Sequence, residues 1–156
     1  MNIKSSAFQE NQTIPTKHTY YGVEGGKNIS LPFSWNDVPS ETKSFALSIV
    51  DPHPVAKNWV HWFVIDIPAT ITGIAEGASP RSMPNGSREL LNTYGSLGYG
   101  GPEPPKGSGK HPYVVTLYAL GVPSLGLSEM TTLTEFTKAL RGNVIATTSI
   151  TGTYDR

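Results

Sequence analysis

Glycine and proline interrupt this chain so often that many short strands joined by turns suit it better than a helical bundle. Sixteen Gly and 13 Pro stand among 156 residues, about a fifth of the total. Proline removes a backbone donor, and glycine weakens the interior of any regular element. The length fits one domain with one core, spanning residues 1–156, and no internal repeat marks a second unit.

Between the interruptions lie apolar runs of strand length. Phe45 to Val50 ends at Asp51-Pro52, Trp59 to Ile67 ends at Pro68, and Tyr113 to Leu120 ends at Gly121. All three are rich in β-branched or aromatic residues, and their near-continuous apolar character predicts strands buried on both faces. Ile29 to Trp35 reads as a shorter edge strand, with Pro32 limiting its ladder bonds. Residues 73–110 read as loop. One helix is predicted over Thr131 to Arg141, capped by Ser128 or Thr131, with Leu133, Phe136 and Leu140 on one face and Gly142 as its stop. Val144 to Tyr154 reads as a last strand. The expected class is therefore mainly β, with one or two peripheral helices.

Charge and composition narrow the function. Lys and Arg total 12, as do Asp and Glu, and the basic residues are scattered. Nucleic acid is not an expected partner, because binding it needs a concentrated basic surface. The absence of cysteine excludes disulfides, thiol catalysis and Cys-ligated zinc. The opening residues lack the apolar run of a signal peptide, and no window approaches the length of a membrane helix. The expectation is a cytoplasmic protein that is not membrane-integral.

Strand alternation then singles out three polar residues. Phe45, Leu47, Ile49 and Asp51 share one face. Trp59, His61, Phe63, Ile65 and Ile67 share another, as do His111, Tyr113, Val115, Leu117 and Ala119. If these strands are neighbours, Asp51, His61 and His111 converge near their ends, where a charge against apolar surface needs a partner. A lone histidine on such a face is more often a hydrogen-bonded core residue, and Asp before Pro is a common turn starter. Two His and one Asp also match part of a metal site, with His53 as a fourth ligand, but the spacing carries no ligand signature. There is no Gly-x-Ser-x-Gly elbow, and Gly107-Ser108-Gly109 reads as a flexible turn. Gly98 to Pro102 lacks the Gly-Lys-Ser/Thr and the helix of a phosphate-binding P-loop.

Two blocks carry a family resemblance. Residues 45–68 contain a strand ending in Asp51-Pro52-His53-Pro54, a loop, and Trp59 and His61 opening the next strand. Residues 98–120 contain Gly98-Tyr99-Gly100-Gly101-Pro102, a Pro/Gly loop, then His111-Pro112-Tyr113 entering a strand. With Asn28 to Trp35, Asn92 to Gly95 and Gly152 to Tyr154, these resemble the phosphatidylethanolamine-binding protein family in its bacterial and archaeal, Raf kinase inhibitor-like branch. The resemblance implies a two-sheet antiparallel β fold around a small pocket for phosphate or a phosphorylated head group. By motif position, the ligand-binding residues it implies are Asp51, Trp59, His61, Gly101, His111 and Tyr113. It implies a ligand-binding or regulatory module rather than an enzyme, without cofactor or metal, and it leaves room for a kinase or protease target and for a homodimer. The alternative readings are a serine protease inhibitor acting through residues 73–88 and, behind it, a metal-dependent hydrolase. The family pattern Asp-Pro-Asp-Ala-Pro is broken here by His53 and Pro54, and His-Arg-Tyr by Pro112, so the pocket mouth loses an acid and an arginine.

Overall fold

The computed structural model describes residues 1–156. Eight strands and one helix follow in the order β1 (Asn2–Lys4), β2 (Phe33–Asn36), β3 (Ser44–Asp51), β4 (Trp59–Pro68), β5 (Gly73–Ile74), β6 (Arg88–Glu89), β7 (His111–Leu120), α1 (Leu133–Leu140) and β8 (Val144–Tyr154). They form an antiparallel five-stranded sheet in the order β6-β4-β3-β7-β8 and a three-stranded sheet in the order β1-β2-β5. The three long apolar runs are β4, β3 and β7, side by side at the centre of the large sheet.

Burial on both faces explains why those runs barely alternate in polarity. One face of the large sheet meets the small sheet. There Phe45, Leu47, Ile49, Trp62, Val64, Tyr113, Val115 and Leu117 pack with Ile3, Phe33, Trp35 and Ile74. The other face meets α1, where Ala46, Val60, Phe63, Ile65 and Leu120 pack with Phe136 and Leu140. Phe63 and Phe136 stack at a centroid distance of 4.4 Å.

Three expectations are corrected. The early strand starts at Phe33 and is the middle strand of the small sheet, pairing with both β1 and β5. Pro32 lies just outside it, so the missing donor sets where the strand begins and does not confine it to an edge. The helix starts at Leu133, and its N-cap is Thr132 rather than Ser128 or Thr131. The Thr132 side chain accepts from the Glu135 amide, and the Glu135 carboxylate accepts from the Thr132 amide. Thr131 instead donates its hydroxyl to the Ser128 carbonyl, closing the turn before the helix.

The third correction concerns β4, whose side chains do not alternate along its whole length. In its pairing with β3, Val50 faces Val60 while Ile49 faces Trp62, so His61 is an extra residue in a bulge. A second irregularity brackets Asp66, which has a φ of 56°. Phe63 and Ile65 therefore face the helix, away from Ile67 and Trp62. A bulge re-aims the side chains beside it, and this one turns His61 away from the helix side.

Residues 73–110 are loop apart from the two-residue strands β5 and β6. Within them, the segment 73–88 is held to the body by bonds from the Gly77 amide to the Ser30 carbonyl, 3.0 Å, and from the Ser79 amide to the Ser30 hydroxyl, 3.1 Å.

The helix contributes to stability mainly through its buried face, because a helix this short is marginal alone. Phe136→Ala is expected to destabilise the protein by roughly 3–5 kcal/mol, the range for emptying a buried aromatic site. Thr132→Ala should cost only about 1 kcal/mol as a lost cap. Urea denaturation of the two variants would check the ordering, and equal losses would show that α1 is held by its cap and not by its face.

Candidate functional site

At one end of the large sheet, the last residue of β3 and the first residues of β4 and β7 meet. Asp51, Trp59, His61, His111 and Tyr113 line one cavity of about 350 Å³ there. Loops add Val55, Ala56, Tyr94 and Glu103 to Pro105, and Arg156 follows β8 into the same wall. Five of the six expected residues are thus brought together. Gly101 does not line the cavity. It allows close backbone approach: a side chain there would run into the His18 carbonyl.

Asp51 is almost fully buried, and both of its oxygens are occupied. One accepts from the His53 amide at 2.8 Å and the other faces Nδ1 of His111 at 2.6 Å. The first bond closes a turn at Asp51-Pro52-His53 and satisfies the carboxylate locally. The second fixes the His111 proton on Nδ1, because a carboxylate only accepts. Nε2 of His111 then faces the Ser108 hydroxyl at 2.9 Å. His53 stacks on the His111 ring with a centroid distance of 3.8 Å and an interplanar angle of 15°. The residue that breaks the family pattern is therefore built into the site.

His61 is held differently. Its Nδ1 donates to the Gly100 carbonyl at 2.7 Å, which leaves Nε2 as the nitrogen without a protein partner. Burial pushes its pKa down to about 4; the Gly100 carbonyl and Asp51 pull it back up only in part. His61 is accordingly neutral at pH 7, and Nε2 presents a lone pair. The two imidazoles therefore do not both present an N–H to an anion. Instead, one imidazole is an acceptor and the other is engaged with Ser108.

Aromatic side chains form the rest of the wall. Tyr113 meets His61 edge-on at 5.0 Å. Tyr94 meets Trp59 at 5.2 Å, stacks on Tyr20 at 3.9 Å, and donates its hydroxyl to the Gly101 carbonyl at 2.8 Å. Burial raises the pKa of both Tyr94 and Tyr113 well above the usual phenol value, so each stays protonated. The glycine-rich strap is tied off as well. The Gly101 amide donates to Asn28 Oδ1 at 2.7 Å and the Gly100 amide to the His61 carbonyl at 2.8 Å, so neither is free for a ligand.

Tyr94, Glu103, Ser108 and Arg156 were not foreseen as site residues. Tyr94 sits in Asn92 to Gly95, a stretch already marked by the family pattern, but its role was not readable there. Arg156 Nη1 lies 3.6 Å from Glu103 Oε1, a pairing across 53 residues that no local signal announces. No three His, Asp or Glu side chains converge closely enough to hold one metal ion.

The His61 shift has a consequence for stability. Unfolded histidine titrates near 6.5, so between that value and about 4 the unfolded chain binds more protons than the folded one. Stability from this group is complete above pH 6.5 and falls as pH drops toward 4, by on the order of 3 kcal/mol. His18, whose pKa is also lowered by burial, adds in the same direction. Denaturant titrations at pH 7 and 4.5 should show a smaller loss in His61→Gln than in the wild type. Equal losses would assign the acid sensitivity elsewhere.

The phosphatidylethanolamine-binding protein model matches residues 4–155. The UPF0098 protein of Methanothermobacter thermautotrophicus is 39% identical over 157 residues, covering 100% of this chain and 99% of that protein. The crystal structure of Escherichia coli YbcL, described as a member of the mammalian PEBP family, aligns with a TM-score of 0.92 at 32% identity, over 99% of this chain and 98% of that one. A phosphatidylethanolamine-binding protein homologue from Chlamydia trachomatis aligns with a TM-score of 0.84 at 35% identity, over 99% and 97% of the two chains. On sequence and fold together, this chain belongs to the phosphatidylethanolamine-binding protein family.

Proposed function

We propose that this protein is a binding module whose cavity takes a small phosphorylated ligand, best a zwitterionic head group carrying a phosphate and an ammonium. The composition of the wall carries the reading. Its fixed charges are those of Asp51, Glu103 and Arg156, with His61 neutral. A bare dianion meets two carboxylates and one fixed cation in such a wall, whereas a ligand with both signs finds a partner for each. Arg156 is the fixed cation for the phosphate, and the carboxylates suit the ammonium. The Trp59 indole N–H is buried without an acceptor, and a buried donor is costly until it finds one. A phosphate oxygen supplies it.

Occupancy, not turnover, is the function of the cavity itself. Its walls hold no serine, threonine, cysteine or lysine to act as a nucleophile. A cavity of about 350 Å³ suits a head group, so an attached acyl chain would lie outside it. The family relationship supports the ligand class, and such a module signals by the surface it presents when filled.

The pH dependence follows from His61. A phosphate oxygen beside its Nε2 needs one proton between them, carried by the ligand or taken up by the imidazole. The complex therefore holds one more proton than free protein plus dianion. Affinity should rise as pH falls from about 8 and level off near the second phosphate pKa of about 6, below which the free ligand already carries that proton. Calorimetric titration of phosphoethanolamine and of inorganic phosphate should show tighter binding of the former. Arg156→Gln should weaken both by roughly 1.5–3 kcal/mol. Affinity indifferent both to pH and to Arg156→Gln would remove this reading.

A further inference from the structure

Two members of the cavity wall, Asp51 and His111, also reach a side chain that does not line the cavity. Ser108 Oγ is 2.9 Å from His111 Nε2, and His111 Nδ1 is 2.6 Å from Asp51 Oδ2. His111 and Asp51 are buried, while Ser108 is half-exposed on the loop just before β7. We propose that Ser108 is a nucleophile activated by His111 and that it accepts acyl groups from small carboxylic esters, giving this protein an esterase-type activity that shares Asp51 and His111 with the cavity wall.

The parts a serine nucleophile needs are present in order. Asp51 is the positioning residue: it accepts from Nδ1–H, holds the ring, and leaves Nε2 as the basic nitrogen facing the hydroxyl. The His53 ring stacked on His111 and the amide bond from His53 to Asp51 brace both partners. The nucleophile lies between Gly107, with φ 78°, and Gly109, with φ 88°, two left-handed positions that suit glycine and make a sharp turn on either side of it. No atom lies within 4 Å of where a side chain on either glycine would begin, so the outer face of Ser108 is open to an incoming ester. The amides of Gly109 and Lys110, the two residues after Ser108, donate to no backbone acceptor. Lacking backbone partners, they are available to the negative charge that develops on an attacked carbonyl oxygen. The Pro105 carbonyl, 2.6 Å from Ser108 Oγ, is a second acceptor for the hydroxyl proton and keeps the side chain in this rotamer at rest.

The chemistry balances without a cofactor. His111 Nε2 takes the Ser108 proton as Oγ attacks the ester carbonyl carbon. The C–O bond to the alcohol breaks, and the alcohol leaves with the proton from Nε2. Water then attacks the acyl-serine, giving its proton to Nε2. The carboxylic acid departs, and Oγ recovers the proton. Ser108 itself does not line the cavity, whereas Asp51 and His111 do.

A fluorophosphonate probe tests the nucleophile, and p-nitrophenyl acetate tests the turnover. The expected result is a single adduct on the peptide containing Ser108, lost in Ser108→Ala, with labelling about 100-fold slower or more in His111→Gln. The wild type should release p-nitrophenol faster than Ser108→Ala does. Because His111 is buried and its replacement can disturb folding, a second readout uses Ser108→Cys, which introduces the sole cysteine of the chain. Its alkylation by iodoacetamide should be faster than that of a free thiol at the same pH, and Asp51→Asn in that background should slow it. Absence of probe from Ser108 in folded wild-type protein, or alkylation of Ser108→Cys no faster than a free thiol, would overturn the proposal. Phosphoethanolamine binding measured on the wild type and on Ser108→Ala reports on the cavity separately, because Ser108 does not line it, so either reading can fall without the other.

Discussion

A buried carboxylate organises this end of the molecule. Asp51 stands at the last position of β3 with almost no exposure, where an unpaired charge is unfavourable by several kcal/mol. Its two oxygens are satisfied by two different parts of the chain, the turn at His53 and the start of β7 at His111. The turn, the strand start and the ring orientation are thereby coupled. Displacing any one of them leaves the carboxylate short of a donor. The cavity wall and the Ser108 contact both inherit their geometry from this residue.

The sequence made the sheet centre legible because its physics is local. β3, β4 and β7 announce themselves as apolar β-branched and aromatic runs between Pro and Gly, and their burial on both faces follows from that pattern. Asp51, His61 and His111 were readable as a group for the same reason. The route to His61 was nonetheless incomplete. Perfect alternation puts it on the helix side with Phe63 and Ile65, and only the bulge opposite Ile49 and Val50 turns it to the cavity. A bulge depends on how two strands register, and one strand read alone does not contain that. Arg156 and Glu103 were invisible for a related reason: their pairing is created by the return of β8 beside β7. Gly107-Ser108-Gly109 read as a flexible turn because its meaning depends on His111 Nε2, three residues later and on the other side of a strand start.

His61 and His111 show how one residue type serves two ends under different constraints. Both are buried, yet one gives its Nδ1 proton to a peptide carbonyl and the other to a carboxylate. A neutral acceptor leaves His61 dominated by desolvation and hence uncharged. The carboxylate beside His111 instead fixes its ring and leaves Nε2 facing the Ser108 hydroxyl. Two imidazoles of one cavity wall thus differ in their partners without any difference in sequence chemistry. Replacing the usual family acid by His53 adds a third ring, stacked on His111.

The position of Asp51 and His111 also sets the tempo of local motion. His111 is the first residue of β7, and β7 is bonded on one side to β3 and on the other to β8 along nearly its full length. The ladders that carry these two residues are the middle of the large sheet, so amide exchange there requires opening that approaches global unfolding. The loop from Pro105 to Lys110 lies outside that ladder and is tied by two backbone bonds, from the Gly107 amide to the Arg156 carbonyl and from the Ser108 amide to the Pro105 carbonyl. The aspartate–histidine pair therefore sits on the frame that opens last, while the serine is held by a segment whose opening leaves that frame intact.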